Sequence, residues 1–475
     1  MSRVPRTIRR LAERYRAAGH ELYIVGGAVR DRLLGKEIAD YDFATSATPK
    51  ETQRLFRRTI PTGERHGTVT VLFEGHPYEV TTYRVDGAYH DHRRPEDVRF
   101  SRSLLEDLRR RDFTINAIAL DPEKESIFDP FDGTSDLDRR IIRTVGDPVE
   151  RFSEDALRML RAVRFSATLE FKIAPETAAA IPPLATTLRY VAAERIRQEL
   201  EKMMGASDRP SLGWSLLDDL TLLPGILPEL TEDRSLKIEE RGGPMVFPHL
   251  LRSCDCAPRE NQLLRWAALL HDVGKPRCFS IQDGGVHFHE HDRVSAEMSV
   301  EILERLRFPR AVIDGVAHLV RHHMFGYDSS WSDAAVRRFI ARVGADQVFA
   351  LTALRRIDTC GKTGKLRESE EIRELEQRVH RVLEEAPPLT VRDLAIDGRR
   401  IMEILGISPG PVVGVLLSEL LQMVIDDPAT NTPRTLETVV RRFYEERIAP
   451  TEGDNTRPSR DATYTGPSKE EGEPR

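Results

Sequence analysis

Stretches typical of β-strands are confined to about the first 145 residues of this chain. Short apolar or alternating runs occur there at Asp40–Ala44, Thr68–Phe73, Tyr78–Arg84 and Ile115–Leu120, bounded by Gly, Pro, Asp and His clusters. From Asp147 onward, apolar residues instead recur every three or four positions, which is the period of an amphipathic helix. The sequence therefore predicts a mixed α/β head followed by helical domains.

A length of 475 residues is enough to build several separate cores. A Gly/Pro break at Arg241–Pro244 separates two helical blocks, and the last residues lack apolar anchors. The predicted divisions are a head over 1–145, a helical neck over 146–240, a histidine-rich domain over 241–364, a C-terminal helical region over 365–447 and a disordered tail over 448–475.

Composition excludes several classes of protein. No run approaches the ~18 apolar residues of a membrane span, and the arginine-rich N-terminus lacks the apolar stretch of a secretory signal. A net charge of −6 argues against a surface coated in basic residues. Four cysteines without a CxxC pair are too few for a disulfide framework, so we expect them to be incidental. We therefore expect a cytoplasmic protein without membrane contact.

A glycine pair and two aspartates in the head are candidates for phosphate and metal chemistry. Gly26 and Gly27 lie between a predicted strand and a helix, where backbone N–H groups can cradle an anion beside Arg30. Asp40 and Asp42 are two residues apart on a predicted strand, so both carboxylates face the same side. Such a pair can hold divalent ions, here Mg²⁺, for in-line nucleotidyl transfer. Either motif alone is more often a turn or a solvated strand end.

Further polar residues can complete that site. Glu79, on a neighbouring predicted strand, can supply a third carboxylate. In LRRRDFTINAIALD, Arg111 can pair with phosphate and Asp112 can accept hydrogen bonds from ribose hydroxyls. A charge run before a strand is also typical of a solvated entrance, so the interpretation depends on its neighbours.

The segment SEDALRMLRAVRF predicts a helix with Asp155, Arg158 and Arg161 on one face and Arg164 continuing the stripe. A carboxylate and a guanidinium on one rigid helix form an acceptor–donor edge that can hydrogen-bond a nucleotide base. The same spacing is common in exposed helices that carry salt bridges.

The third block is rich in histidine and carboxylate residues on different predicted helices, which can converge on one or two transition-metal ions such as Ni²⁺ or Mn²⁺. The candidate ligands are His249, His271, Asp272, His291, His323 and Asp358. His322 is adjacent to His323, and the sequence does not decide between them.

Six motifs in order carry a resemblance over about the first 230 residues. They are GGAVRD, DYDFAT, RRDFTINA, FDG with Asp136-Leu137, EDALRMLRAVRF and AAERIRQEL. The set resembles the class II tRNA nucleotidyltransferase/poly(A) polymerase family, the CCA-adding enzymes. The resemblance implies a polymerase β-like α/β nucleotidyltransferase head, an all-α neck that holds the incoming base, and Mg²⁺, CTP, ATP and tRNA as ligands.

The resemblance also implies roles for individual residues. Implied are Asp40 and Asp42 as Mg²⁺ ligands, Gly27 and Arg30 as triphosphate contacts, Arg111 and Asp112 as phosphate and sugar contacts, Asp155 and Arg158 as the protein template for CTP and ATP, and Arg161 and Arg164 as further nucleotide contacts.

Three activities are consistent with the resemblance. The stretch YRVDGAYHDHRRPEDVRF looks like the flexible loop of full CCA-adding and A-adding members. We therefore expect CCA addition to tRNA first, A-only addition second and poly(A) synthesis third. No obligate protein partner is indicated.

The histidine-rich block resembles the HD phosphohydrolase superfamily, with His271-Asp272 as its namesake pair. Fused domains of this kind either hydrolyse phosphate esters through metal-bound hydroxide or serve as metal-free scaffolds. Hydrolysis as the main activity, or an idle RNA-binding protein, are the rival hypotheses. The fourth block resembles an RNA-binding region, in which GISPGPVVG is either a phosphate contact or a tight turn.

Overall fold

The computed structural model describes residues 3–38, 40–86, 98–236, 245–366 and 369–448. Contacts divide the chain into two compact units, one from 1–324 with 353–367 and the other from 325–352 with 368–475. Within the described ranges, no helix has the length and apolar character required to cross a lipid bilayer. Most of the predicted flexible loop, at 87–97, and the predicted disordered tail beyond 448 lie outside the described residues.

The strands of the head are β1 (Leu22–Val25), β2 (Asp42–Thr45), β3 (Thr59–Gly63), β4 (Thr68–Phe73), β5 (His76–Thr82), β6 (Arg84–Asp86), β7 (Val98–Phe100), β8 (Ala119–Leu120), β9 (Ile127–Phe128) and β10 (Ile141–Ile142). Seven of them form one sheet of order β3-β4-β5-β2-β1-β8-β9. The helices are α1 (Arg6–Ala17), α2 (Gly27–Leu33), α3 (Pro49–Leu55), α4 (Leu104–Arg109) and α5 (Gly133–Arg139).

Strand β2 lies at the middle of this sheet. It pairs antiparallel with β1, with Val25 opposite Asp42, and parallel with β5, with Asp42 opposite Glu79. Ile24, Phe43 and Val80 of the three strands are each about 1% exposed. The buried apolar residues therefore fix the register that places the carboxylates of Asp42 and Glu79 side by side on adjacent strands.

The predicted strand Ile115–Leu120 is only partly formed. Residues Thr114–Asn116 form a 3₁₀ turn, and only Ala119–Leu120 pair as β8. The buried Asn116 side chain donates to Asp112 Oδ1 at 3.1 Å, and its backbone N–H bonds the carbonyl of Phe113 at 2.9 Å. These local bonds compete with strand pairing, so the chain turns before it enters the sheet.

The neck is mostly helical, as predicted, but it also contains a two-residue strand, Lys172–Ile173, that pairs in parallel with β10 and that the sequence did not predict. Its elements are α6 (Pro148–Glu154), α7 (Leu157–Leu169), β11 (Lys172–Ile173), α8 (Pro175–Ala179), α9 (Ile181–Leu184), α10 (Ala193–Ala206), α11 (Pro210–Asp219) and α12 (Glu232–Leu236). Trp214, Met203 and Met204 are at most 1% exposed between α10 and α11. Close packing at Gly213, where a Cβ would lie 2.1 Å from Met203 Sδ, brings these helices together.

The next elements are α13 (Val246–Cys256), α14 (Gln262–Leu270), β12 (Phe279–Gln282), β13 (Gly285–Phe288), α15 (His291–Arg305), α16 (Arg310–His322), α17 (Asp333–Val343) and α18 (Val348–Thr363). The hairpin β12–β13 departs from the purely helical prediction. Asp283 and Gly284 at its tip have φ of +51° and +74°. An Asp-Gly pair is a strong hairpin signal, so this strand pair was readable from the sequence.

A disulfide joins Cys256 at the end of α13 to Cys360 on α18, with the Cα atoms 6.2 Å apart. The expectation of incidental, unpaired cysteines is therefore wrong for this pair. The two residues are 104 positions apart and meet only because the helices pack closely. At Gly361, a Cβ would lie 2.0 Å from Ser253 Oγ, so glycine permits this approach.

The C-terminal unit contains α17, α19 (Glu370–Glu384), α20 (Gly398–Leu405), α21 (Pro411–Asp426) and α22 (Pro433–Phe443). Leu416, Leu420 and Leu436 form part of its buried core. In GISPGPVVG, Gly406 closes α20 with φ +66°, and Pro411 starts α21. The local structure of this motif is thus a tight turn between helices.

Candidate active site and candidate metal centre

A cavity of about 560 Å³ opens between the head sheet and the neck helices α7 and α10. It is lined by Gly26, Gly27, Arg30, Asp42, Arg110, Arg111, Asp112, Asn116, Asp155, Leu157, Arg158, Arg161, Arg164, Phe165, Arg195 and Lys202. The structure thus brings all eight predicted nucleotide contacts to one place with Asp42, although they come from segments more than 100 residues apart. Asp40 and Glu79 are not among the lining residues.

Gly26 shapes the floor of this cavity. Its φ of +71° is a left-handed conformation, and a Cβ there would lie 3.3 Å from Arg111 Nη1 and 3.8 Å from Asp42 Oδ2. A larger residue would therefore be strained and would crowd both groups. The glycine pair is more than a turn, because it lets the backbone approach the carboxylate and the guanidinium.

The predicted metal ligands lie around the start of β2, although Asp40 precedes the strand, which begins at Asp42. Asp40 and Asp42 are exposed, and Glu79, also exposed, is in register with Asp42 on β5. Although Asp42 is accessible at the cavity, partial desolvation by the surrounding protein atoms and the nearby charge of Asp40 raise its pKa, an effect that Arg111 only partly offsets. Carboxylate oxygens whose charge is incompletely compensated fit a hard divalent cation such as Mg²⁺.

Both carboxylate oxygens of Asp112 accept hydrogen bonds from other protein groups. Arg161 contacts Oδ2 through Nε at 2.7 Å and Nη2 at 2.6 Å, while Asn116 and the backbone N–H of Phe113 donate to Oδ1. Burial alone would raise the pKa of Asp112, but the charge of Arg161, the hydrogen bonds from Asn116 and Arg161 and the charge of Arg158 together outweigh it and lower the pKa to about 2. The carboxylate therefore holds Arg161 at the cavity, in addition to any role toward ribose.

The helix-face prediction for Asp155 is wrong. Asp155 has extended backbone between α6 and α7, with φ −145° and ψ 103°. Its carboxylate accepts two hydrogen bonds from Arg195, at 2.7 and 3.3 Å, whereas Arg158 pairs with Glu154. Asp155 and Arg158 still line the same cavity wall. Arg195 is a site residue that was not predicted, although it lies in the recognised AAERIRQEL motif.

Glu199 was not predicted either. It is 5% exposed, and its Oε2 accepts from Arg164 Nε at 2.5 Å. Arg161 and Lys202 lie within 3.7 and 3.8 Å of its other oxygen. One buried carboxylate on α10 thus compensates several cations that line the cavity.

The six predicted ligands of the histidine-rich domain also converge. The first group is His249, His271, Asp272 and Asp358, and the second is Asp272, His291 and His323. Asp272 belongs to both: Oδ2 lies 3.4 Å from Nε2 of His249 and of His271, and Oδ1 lies 3.3 Å from His291 Nε2. Each group could hold a metal ion, and Asp272 would then be a ligand in both groups.

The ring orientations suit metal binding. Nδ1 of His271, His291 and His323 bonds a backbone carbonyl three residues earlier, at 2.9, 2.8 and 2.6 Å, which turns each Nε2 toward the aspartates. The facing atoms His291 Nε2, His323 Nε2, Asp272 Oδ1 and Asp358 Oδ1 are buried without a hydrogen-bond partner. Buried polar atoms without partners are costly, so a bound cation fits them.

The choice between His322 and His323 is resolved by helix phase. His323 Nε2 lies 3.5 Å from Asp272 Oδ1, whereas the His322 ring packs against His318 with centroids 4.6 Å apart. His323 therefore belongs to the cluster.

His271 and Asp272 influence each other's ionisation. Burial opposes the charged forms of both side chains, yet attraction between them raises the pKa of the His271 imidazole to about 9 and lowers the pKa of the Asp272 carboxyl.

Family models match three regions of the chain: the poly A polymerase head domain at 22–143, the probable RNA and SrmB-binding site of polymerase A at 170–234, and the HD domain at 237–382. A CCA-adding enzyme from Geobacillus stearothermophilus is 36% identical over 417 residues, which cover 87% of this chain and 91% of that protein. The chain belongs to the CCA-adding enzyme family.

Other members of the CCA-adding family agree. The CCA-adding enzyme of Levilactobacillus brevis is 37% identical over 424 residues, or 89% of this chain and 94% of that one. The crystal structure of the Bacillus stearothermophilus CCA-adding enzyme in complex with CTP is similar with a TM-score of 0.72 at 30% identity, covering 95% of this chain and 100% of that chain. The predicted family, enzyme class and α/β-then-helical fold are confirmed.

Proposed function

We propose that this chain adds C, C and A to the 3′ ends of tRNA from CTP and ATP without a nucleic-acid template. The observation that carries the proposal is the single cavity in which Asp42 meets the arginines of the neck and the polar edge of Asp155 and Arg158. A relative solved with CTP and the shared family support the same activity.

In this proposal the 3′-hydroxyl oxygen of tRNA attacks the α-phosphorus of the nucleotide, the bond to the β-phosphate breaks, and pyrophosphate leaves. Asp40, Asp42 and Glu79 would hold Mg²⁺, which supplies Lewis-acid stabilisation of the reacting phosphate. Arg30 and Arg111, anchored on Asn116 and Asp107, offer cations to the triphosphate.

Base selection would be made by the neck. Arg158 donates and Asp155 accepts, so together they can satisfy the pairing edge of a pyrimidine or a purine. Arg161 and Arg164, held by Asp112 and Glu199, would contact the rest of the nucleotide. We assign nucleotidyl transfer to 1–145, base selection to 146–240 and tRNA contact to 365–447, and we expect the protein to act in the cytoplasm.

The substitution Asp42→Ala tests this assignment. Incorporation of labelled CMP and AMP into tRNA should fall by at least a thousandfold, because the metal ligand is lost. Filter binding of tRNA should stay within about twofold of the wild type, since Asp42 is one small group in a large interface. Incorporation close to the wild-type rate would overturn the proposed function.

A second activity is favoured by the two ligand groups that share Asp272. We propose that residues 241–364 bind transition-metal ions such as Mn²⁺ or Ni²⁺ and hydrolyse phosphate esters. A 2′,3′-cyclic nucleotide with Mn²⁺ or Ni²⁺ is the test substrate. Turnover should be lost in His271→Ala and kept in Asp42→Ala, whereas absence of turnover in the metal-loaded wild type would refute this activity.

A further inference from the structure

One aromatic ring lies among the cations of the nucleotide cavity. Phe165, on α7, is 5% exposed and lines the cavity wall. The guanidinium carbons of Arg164, Arg30 and Arg161 lie 3.9, 5.1 and 5.4 Å from the centroid of its ring. Cations within about 6 Å of an aromatic face are attracted by the ring quadrupole. Phe165 thus makes the same kind of contact with three arginines at once.

The ring itself is well fixed. Phe113, fully buried at the start of the 3₁₀ turn, packs its ring against that of Phe165 in an edge-to-face contact with centroids 5.8 Å apart. Such pairs hold both rings in one orientation. Phe165 is therefore a rigid surface on which long, flexible side chains can rest.

Each arginine has polar anchors of its own, and the ring is the one contact that all three share. Asn116 Oδ1 accepts from Arg30 at 3.0 Å, and the carboxylate of Asp31 accepts from the same guanidinium at 2.9 and 3.0 Å. Asp112 and Glu199 hold the other two arginines through the ion pairs described above. Polar contacts at the guanidinium nitrogens alone leave rotamers of a long side chain accessible, and fixing them at the moment of binding costs entropy. Contact with one rigid ring removes part of that cost beforehand.

We propose that Phe165 is a positioning residue that pre-organises Arg30, Arg161 and Arg164 for the polyphosphate of the incoming nucleotide. This inference rests on the proposed nucleotidyltransferase function. The ring acts through cations that would meet phosphate, whereas Asp155 and Arg158 would read the base. Loss of the ring should therefore weaken the binding of CTP and the binding of ATP by the same factor.

The test replaces the ring and keeps the apolar volume. In Phe165→Leu, KM should rise about tenfold for CTP and equally for ATP, while kcat changes less than threefold. Phe165→Tyr keeps the aromatic face and should stay close to the wild type. Calorimetric binding of inorganic tripolyphosphate with Mg²⁺, a probe that has no base, should weaken by the same factor in Phe165→Leu.

Phe152→Leu is the matched control. Phe152 is a fully buried neck residue on α6 that does not line the cavity. This variant should lose stability without a change in KM. Equal KM effects in the two leucine variants, or an effect on only one nucleotide, would overturn the inference. If Phe165→Leu does not fold, Phe165→Met carries the same expectation.

Failure of the proposed function would look different. A wild-type protein that incorporates no nucleotide into tRNA would refute nucleotidyl transfer. The tripolyphosphate measurement would still test the role of Phe165, since it compares the affinity for a phosphate chain in the wild type and in Phe165→Leu.

Discussion

Replacing Asp112 by asparagine isolates the contribution of one buried ion pair to the site. The substitution keeps the size of the side chain and removes the charge that faces Arg161. Asp112 is 7% exposed and accepts hydrogen bonds on both oxygens, so solvent cannot replace the lost interactions. Arg161 would be left beside a neutral amide, which is the costly way to break such a pair.

The magnitude follows from the pKa. A pKa of about 2 in the folded protein, against 3.8 for an ordinary aspartate, corresponds to about 2 kcal/mol of stability at neutral pH. The amide nitrogen of asparagine would also face a donor at one position, which adds about 1 kcal/mol. We therefore expect Asp112→Asn to lower the free energy of unfolding by about 2–3 kcal/mol.

The pH dependence has a definite sign. Because the pKa of Asp112 is depressed, its contribution is complete above about pH 4 and is lost as the pH falls through about 2. Urea unfolding of wild type and variant, followed by circular dichroism, should give the same difference at pH 7 and pH 5. As a control, Asp314→Asn removes an exposed partner of Arg310 and should change stability by less than about 0.5 kcal/mol. A difference below 0.5 kcal/mol for Asp112→Asn at pH 7, or its disappearance by pH 5, would refute the reasoning.

Three further outcomes are expected. Arg195→Ala should raise misincorporation of UMP about tenfold relative to CMP, measured by product sequencing, because Asp155 loses the partner that fixes its carboxylate. Alkylation of the denatured, unreduced protein should label two cysteines, and four after reduction, and reduction of Cys256–Cys360 should cost about 2–4 kcal/mol in thermal unfolding. Mn²⁺ at about a hundred times its Kd should stabilise the metal-stripped wild type by about 2.7 kcal/mol and leave Asp272→Ala unchanged, since that variant lacks the shared ligand.

The sequence is informative where chemistry depends on neighbours in the chain. The apolar runs around Asp40 and Asp42 predict a strand there, but β2 begins at Asp42, so Asp40 precedes the strand on which the spacing placed it. The strand register that places Glu79 opposite Asp42 is set by burial of Phe43 and Val80. The alternation of apolar and polar residues in the two strands indicates this burial. The Asp283-Gly284 pair before His291 is also a local hairpin signal, although the helical pattern on both sides of it favours a purely helical prediction.

Other features depend on how distant helices pack. The ion pair of Asp155 with Arg195 and the disulfide of Cys256 with Cys360 join residues that are 40 and 104 positions apart. No local pattern encodes such meetings, because they follow from the packing of whole helices. The position of Asp272 between two groups of histidines likewise follows only from the folded chain, in which its two oxygens face different imidazoles.

The product length of a single tRNA reaction tests the central claim most directly. A tRNA that lacks its three terminal nucleotides is incubated with wild-type protein and CTP alone, ATP alone, or both, and the products are resolved at single-nucleotide length. The proposed function predicts two added nucleotides with CTP, none with ATP alone and three with both. Addition of A only, and only to a tRNA that already ends in CC, or of long A tails, would contradict it.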